Sequence, residues 1–145
     1  MAPEAGGDPT IARWLWALDD ARQRTVAQLV DLPPAYLDWT PPAGENSIGT
    51  LLYHIAAIEA NWLSAEVREE VLFAPDLVAL FPHDVRDTPG RLTVVAGLTL
   101  AEHLARLAAT RSELSRTFRA LSPGTSGVSA RCPTTTSPPN GYSIT

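Results

Sequence analysis

The chain has 145 residues, a formal net charge of −5 and 45% hydrophobic residues, which suits one globular domain with its own core. The acidic balance, with no clustered basic face, excludes a nucleic-acid footprint. A single cysteine, Cys132, excludes a disulfide within the chain.

No apolar run approaches the ~18 residues that a membrane helix needs. The first residues, Met1 to Gly7, are small and acidic, unlike a signal peptide, so the expected compartment is the cytoplasm.

The first helix is predicted to start at Asp8. Asp is a good N-cap, and Pro9 then occupies the first helical position, where its missing N–H costs nothing. Ile11, Leu15, Leu18 and Leu29 form an apolar stripe, with Trp14, Ala21 and Val26 beside it. Asp19, Asp20, Arg22 and Arg24 mark the wet side, and Pro33 and Pro34 end the element. A proline-rich connector follows from Leu32 to Glu45, with Tyr36 and Trp39 expected to pin it to the body.

Asn46 or Ser47 caps a second helix running from Ile48 to Leu63. Ile48, Leu51, Leu52, Ile55, Ile58 and Trp62 give it a wide apolar face. Gly49, costly in a helix by roughly 1 kcal/mol against Ala, suggests close approach of a neighbour. Residues 67–97 predict a long crossover. Within it, Val71 to Phe81 can form a short helix broken by Pro75, and Arg91 to Val95 read locally as a strand. The third helix has Thr99 as cap and Glu102 at capping-box spacing. Its stripe is Leu100, Leu104, Leu107, Leu114, Phe118 and Leu121, with the stem of Arg111 at the remaining position. Pro123 stops it.

From Gly124 to Thr145 the chemistry changes: leucine and acids disappear, and Ser, Thr, Pro and Gly dominate. By composition this is a disordered tail. All 11 basic residues are arginine, the mark of a GC-rich coding sequence, and out-of-frame translation of such genes gives similar text. The neighbouring frame permits a string that ends in the start of a helix with Trp and paired His. A frameshifted tail is therefore the expectation favoured for 124–145, with a natural disordered C-terminus as the alternative.

The run Asn46-Ser47-Ile48-Gly49-Thr50-Leu51-Leu52-Tyr53-His54-Ile55, continuing through Glu59 to Trp62, resembles the second-helix signature of the DinB/YfiT-like superfamily. Leu37 to Glu45 is similar to its lead-in, and Asp84 to Leu107 to the crossover and third helix of a bacterial subgroup. The resemblance covers about residues 8–123. It implies an all-α, up-down four-helix bundle with a long crossover between the second and third helices. The fourth helix is expected to be missing or replaced by the tail, giving a bundle over 1–123 and a tail over 124–145.

The resemblance also implies a divalent metal, zinc or nickel-like, held by three side chains, usually histidines. One comes from the second helix and two from an HxxxH-type pair on the fourth. Related proteins include mycothiol-dependent maleylpyruvate isomerase and bacillithiol or mycothiol transferases. The implied partners are a low-molecular-weight thiol and a second subunit in a homodimer. Only the first ligand position carries over, onto His54, so this chain is expected to hold metal weakly or not at all. The alternatives are a non-catalytic helical dimerisation module and an inactive truncated product.

Read from the residues alone, His54 shares a helix face with Leu51, Ile58 and Asn61 and points to the bundle interior, as a core histidine or, by the resemblance, a ligand. His103 is expected on the surface or in a groove, and His83 in a loop. Glu59 lies too far round the helix to share a metal with His54. Glu66, Glu69 and Glu70 form a solvated helix end. Cys132 has no histidine near it in sequence. Trp14, Trp16, Trp39 and Trp62 are expected as core or groove anchors.

Overall fold

The computed structural model describes residues 8–42, 44, 46–69, 73, 75–87 and 90–121. Helix α1 (Pro9–Ala27) begins as its sequence dictates. The Asp8 carboxylate accepts a 2.7 Å bond from the Thr10 N–H, and Pro9 fills the first turn. Leu15 is buried, but Leu18 of the expected stripe and Trp14 beside it are exposed. The connector folds into a single turn, α2 (Pro34–Leu37). Leu37 pins it, against Leu52 and Ala56. Tyr36 and Trp39 are exposed instead, because one turn of helix offers only one inward position and Leu37 takes it.

Ser47 caps α3 (Ile48–Trp62) through a 3.1 Å bond to its hydroxyl from the Thr50 N–H. The helix continues into a π-helical turn, Leu63–Val67. Its predicted apolar face divides. Leu52 is buried, while Leu51, Ile55 and Trp62 are exposed. The buried face is Gly49, Thr50, Leu52, Tyr53, Ala56, Ala57 and Ala60. Both faces are apolar, and the one with small side chains wins the interior because it lets neighbouring backbone come close.

The crossover carries α4 (Pro75–Val78), which Pro75 starts rather than breaks. The strand-like stretch makes only an isolated antiparallel bridge, Arg86 to Leu92. Val95 closes this segment over Tyr53 and Ala57, and the Thr50 hydroxyl accepts its N–H at 3.1 Å. Helix α5 (Leu100–Ala120) opens with the expected capping box between Thr99 and Glu102. Leu107 and Leu114 are buried; burying each such side chain stabilises by about 1.5–3 kcal/mol.

Leu15 packs with Leu63 and Leu114 at one end of the body. Leu29, just past α1, packs with Leu52, Ala56 and Leu107 at the other. So α1 runs antiparallel to both α3 and α5, and the long crossover lets α3 and α5 run parallel. The all-α expectation holds, with three long helices among the described residues. The expected tail, the loss of the fourth helix and Cys132 all fall on 122–145, outside the described residues. No helix among the described residues is long and apolar enough to cross a membrane.

Candidate functional site

His54 lies half-buried on α3, at the edge of the exposed face formed by Leu51, Ile55 and Trp62. It borders solvent rather than the bundle interior, because the interior belongs to the small-residue face a third of a turn away. Its Nδ1 is buried without a hydrogen-bond partner. Burial, reinforced by the Arg86 guanidinium, pushes the imidazole below its usual range, so the ring is neutral at neutral pH. Arg86 is held in the crossover by donating to the Gly90 carbonyl at 2.7 Å.

His103 departs furthest from expectation. It is 0% exposed, not a surface or groove residue. It occupies a core-facing position of α5 beside Gly49, and its Nε2 has no hydrogen-bond partner. Its Nδ1 stands 3.4 Å from the Arg106 guanidinium. Arg106 is also buried: its Nε donates to the Leu80 carbonyl at 2.8 Å, and its guanidinium carbon lies 4.9 Å from the centre of the Tyr53 ring. Burial and Arg106 both lower the affinity of His103 for a proton, against opposing pulls from Asp38 and Glu102. Tyr53 locks the crossover: its hydroxyl donates to the His83 carbonyl at 2.7 Å and accepts the His83 N–H at 3.0 Å. The His83 side chain is exposed in the crossover, as predicted.

The fold does not gather these groups into a metal centre. Among the described residues no three His, Cys, Asp or Glu side chains come together as a metal-binding group. The sequence holds only three histidines, and residues 122–145 contain no His, Asp or Glu. A catalytic zinc site takes three protein ligands. A neutral His54 with an orphaned ring nitrogen suits one ligand, but the neighbouring Arg86 opposes a dication. The described residues therefore do not fit the three-ligand metal site that the resemblance implies.

Two ion clusters went unread in the sequence. Glu59 receives the guanidinium of Arg22 and, at 2.6 Å, that of Arg111, which also reaches Asp19 at 2.8 Å. Arg22 also donates to the Leu107 carbonyl at 2.8 Å. Burial works against the Arg111 charge, but the hydrogen bonds it donates to Glu59 and Asp19 outweigh that and raise its pKa. This quartet ties α1, α3 and α5 together; Asp19 and Arg22 are not simply a wet side. Lower down, Glu113 pairs with Arg116 and Arg68, and Arg68 reaches the Thr117 hydroxyl at 2.7 Å. The i, i+3 spacing of Glu113 and Arg116 was the only local signal. Glu66 and Glu69 are exposed as expected, and Glu70 of the same cluster lies outside the described residues.

All four tryptophans are exposed, Trp14 by 67%, so none is a core anchor. Trp14 does line a cavity of 240 Å³ with Ile11, Leu15, Leu18 and Phe118. A second cavity, of 330 Å³, lies where Arg22 and Val26 face Leu104 and Arg111.

No curated protein matches the chain. A family model described as the DinB superfamily matches residues 17–142, most of the length. With a helical body, a capped second helix carrying His54 and a long crossover to a third, the chain belongs to the DinB superfamily.

Proposed function

We propose that this DinB-superfamily chain works as a helical interaction module that pairs with a second copy of itself through α3. The observation that carries this is the exposed row Leu51, Ile55 and Trp62, with Ile58 between them. These positions recur at one-turn spacing on a single face. The outward positions from Leu51 to Trp62, including His54 and Asn61, carry no formal charge at neutral pH in a chain of net −5. Two copies can therefore bring the same face together without like-charge repulsion. The test is light scattering coupled to size-exclusion chromatography. A dimer that Ile55→Asp converts to a folded monomer supports the proposal. A wild-type monomer across the accessible concentration range sinks it.

A second reading keeps the metal chemistry of the superfamily. His54, with its orphaned Nδ1, serves as one ligand, and the remaining ligands come from another chain. The bound divalent ion would supply a lowered pKa to a coordinated water or thiol. In that reading the chain is part of a thiol-linked transferase or related enzyme. Its measure is metal content: stoichiometric zinc or nickel lost in His54→Ala would establish it. Metal-free protein after purification with added zinc would remove it.

A further inference from the structure

The exposed row of α3 does not end at Trp62. Glu66 follows about one turn further, within the π-helical turn, and is exposed. Toward the other end, Arg86 of the crossover lies close enough to His54 to lower its affinity for a proton. Arg86 is exposed too, and its guanidinium donates to the Gly90 carbonyl. Neither Glu66 nor Arg86 forms an ion pair among the described residues. From Pro82 to Val95 the charges of Asp84 and Asp87 balance those of Arg86 and Arg91, so this stretch does not repel an acid. The face is therefore apolar along its middle, with a free acid at one end and a free base toward the other.

We propose, resting on the reading that two copies pair through α3, that they pair antiparallel and that Glu66 and Arg86 fix this direction. The row is centred between Ile55 and Ile58. A two-fold axis at that point sets Ile55 against the partner's Ile58 and Leu51 against the partner's Trp62. Each indole then meets a smaller side chain at both ends, and the helix axes stay evenly spaced. Parallel pairing would set indole against indole at one end and leucine against leucine at the other. The side chains at the contact set the distance between axes, so that pair would splay.

Charge decides the same way. In a parallel pair Glu66 would stand about 8–10 Å from the partner's Glu66, one interaxial distance away. That lies within the screening length of about 10 Å at 0.1 M salt. Antiparallel pairing separates the two carboxylates by roughly 28 Å along the axis, at about 1.5 Å per residue. It carries Glu66 over the N-terminal half of the partner's α3, where the partner's Arg86 lies. Charges at the rim of an apolar strip select the orientation more than they strengthen the contact.

The test measures the dimer dissociation constant of the full chain by sedimentation, with circular dichroism to confirm that each variant is folded. Glu66→Gln and Arg86→Gln should each loosen the dimer by about fivefold, because the two-fold axis counts each contact twice. Glu66→Arg or Arg86→Glu alone should loosen it further. The two reversals together should return the constant to within about twofold of the parent. A dimer that Glu66→Gln tightens is parallel, which overturns the direction while the pairing stands. A dimer indifferent to both reversals overturns it in the same way. A wild-type monomer removes the pairing itself, and this proposal with it.

Discussion

Gly49 and His103 are fitted against each other: a β-carbon on Gly49 would stand 3.2 Å from His103 Nε2. The same β-carbon would meet the Leu37 carbonyl at 3.3 Å, and that backbone cannot swing away. Gly49→Ala therefore trades helix propensity, worth about 1 kcal/mol in its favour, against overpacking of about 1–3 kcal/mol. The expected net is a loss of roughly 1 kcal/mol or more in urea unfolding. An alanine variant as stable as the parent would mean that α2 and α5 yield at this point.

His103 also sets a pH dependence. Burial and Arg106 hold it neutral in the folded chain, below its unfolded value. The unfolded state thus takes up a proton first as pH falls. Stability is complete above about pH 6.5 and declines as pH drops from there toward the folded pKa, by at most about 1.4 kcal/mol per pH unit for each such histidine. His54, shifted the same way, adds to the slope. The carboxylates of Glu102 and Glu113 are held below their usual range, so their contribution is lost only in more acid solution. Urea unfolding at pH 7.5 and 5.5 should show a flatter dependence in His103→Gln than in the parent. Equal slopes would show that His103 takes its proton without penalty.

Glu59 holds two guanidiniums with little access to water, its side chain being 12% exposed. Glu59→Gln removes the charge that both Arg22 and Arg111 rely on and should cost roughly 3 kcal/mol. The exposed pair Arg24–Asp20 on α1, the helix of Arg22, provides the contrast. Asp20→Asn should change stability by less than about 0.5 kcal/mol. Thermal unfolding of both variants decides whether the quartet is a structural tie or a surface ornament.

Arg106→Lys tests the flat guanidinium. Lysine keeps the charge but cannot both hold the Leu80 carbonyl through a fixed fork and lie over the Tyr53 ring. Amide exchange at Leu80 and Phe81 should quicken before α5 itself opens. Unchanged protection there would mean that Tyr53 and its His83 bonds hold the crossover alone.

The helix starts were legible because capping is local: Asp8, Ser47 and the Thr99–Glu102 box all behave as their spacing dictates. The inward face of α3 was not. A helix apolar nearly all round gives no contrast, and the large residues Leu51, Ile55 and Trp62 drew attention from Gly49, Ala56 and Ala60. What decided the matter was how closely a neighbour could approach, a property of two elements and not of one. His103 was misplaced for the same reason: its burial depends on the gap that Gly49 leaves on another helix. The Glu59 quartet joins residues up to 92 positions apart and leaves no short-range pattern. His54 was found through its surrounding motif, and only the packed structure shows that it borders solvent.

The parallel course of α3 and α5 has an electrical consequence. Aligned peptide dipoles place the positive poles of both helices at the same end, where they add instead of cancelling. Asp38 stands at that end for both: one carboxylate oxygen accepts the Gly97 N–H at 2.8 Å ahead of α5, and the other lies 3.2 Å from the β-position of Gly49 in the first turn of α3. One negative charge thus neutralises two helix starts from different parts of the chain.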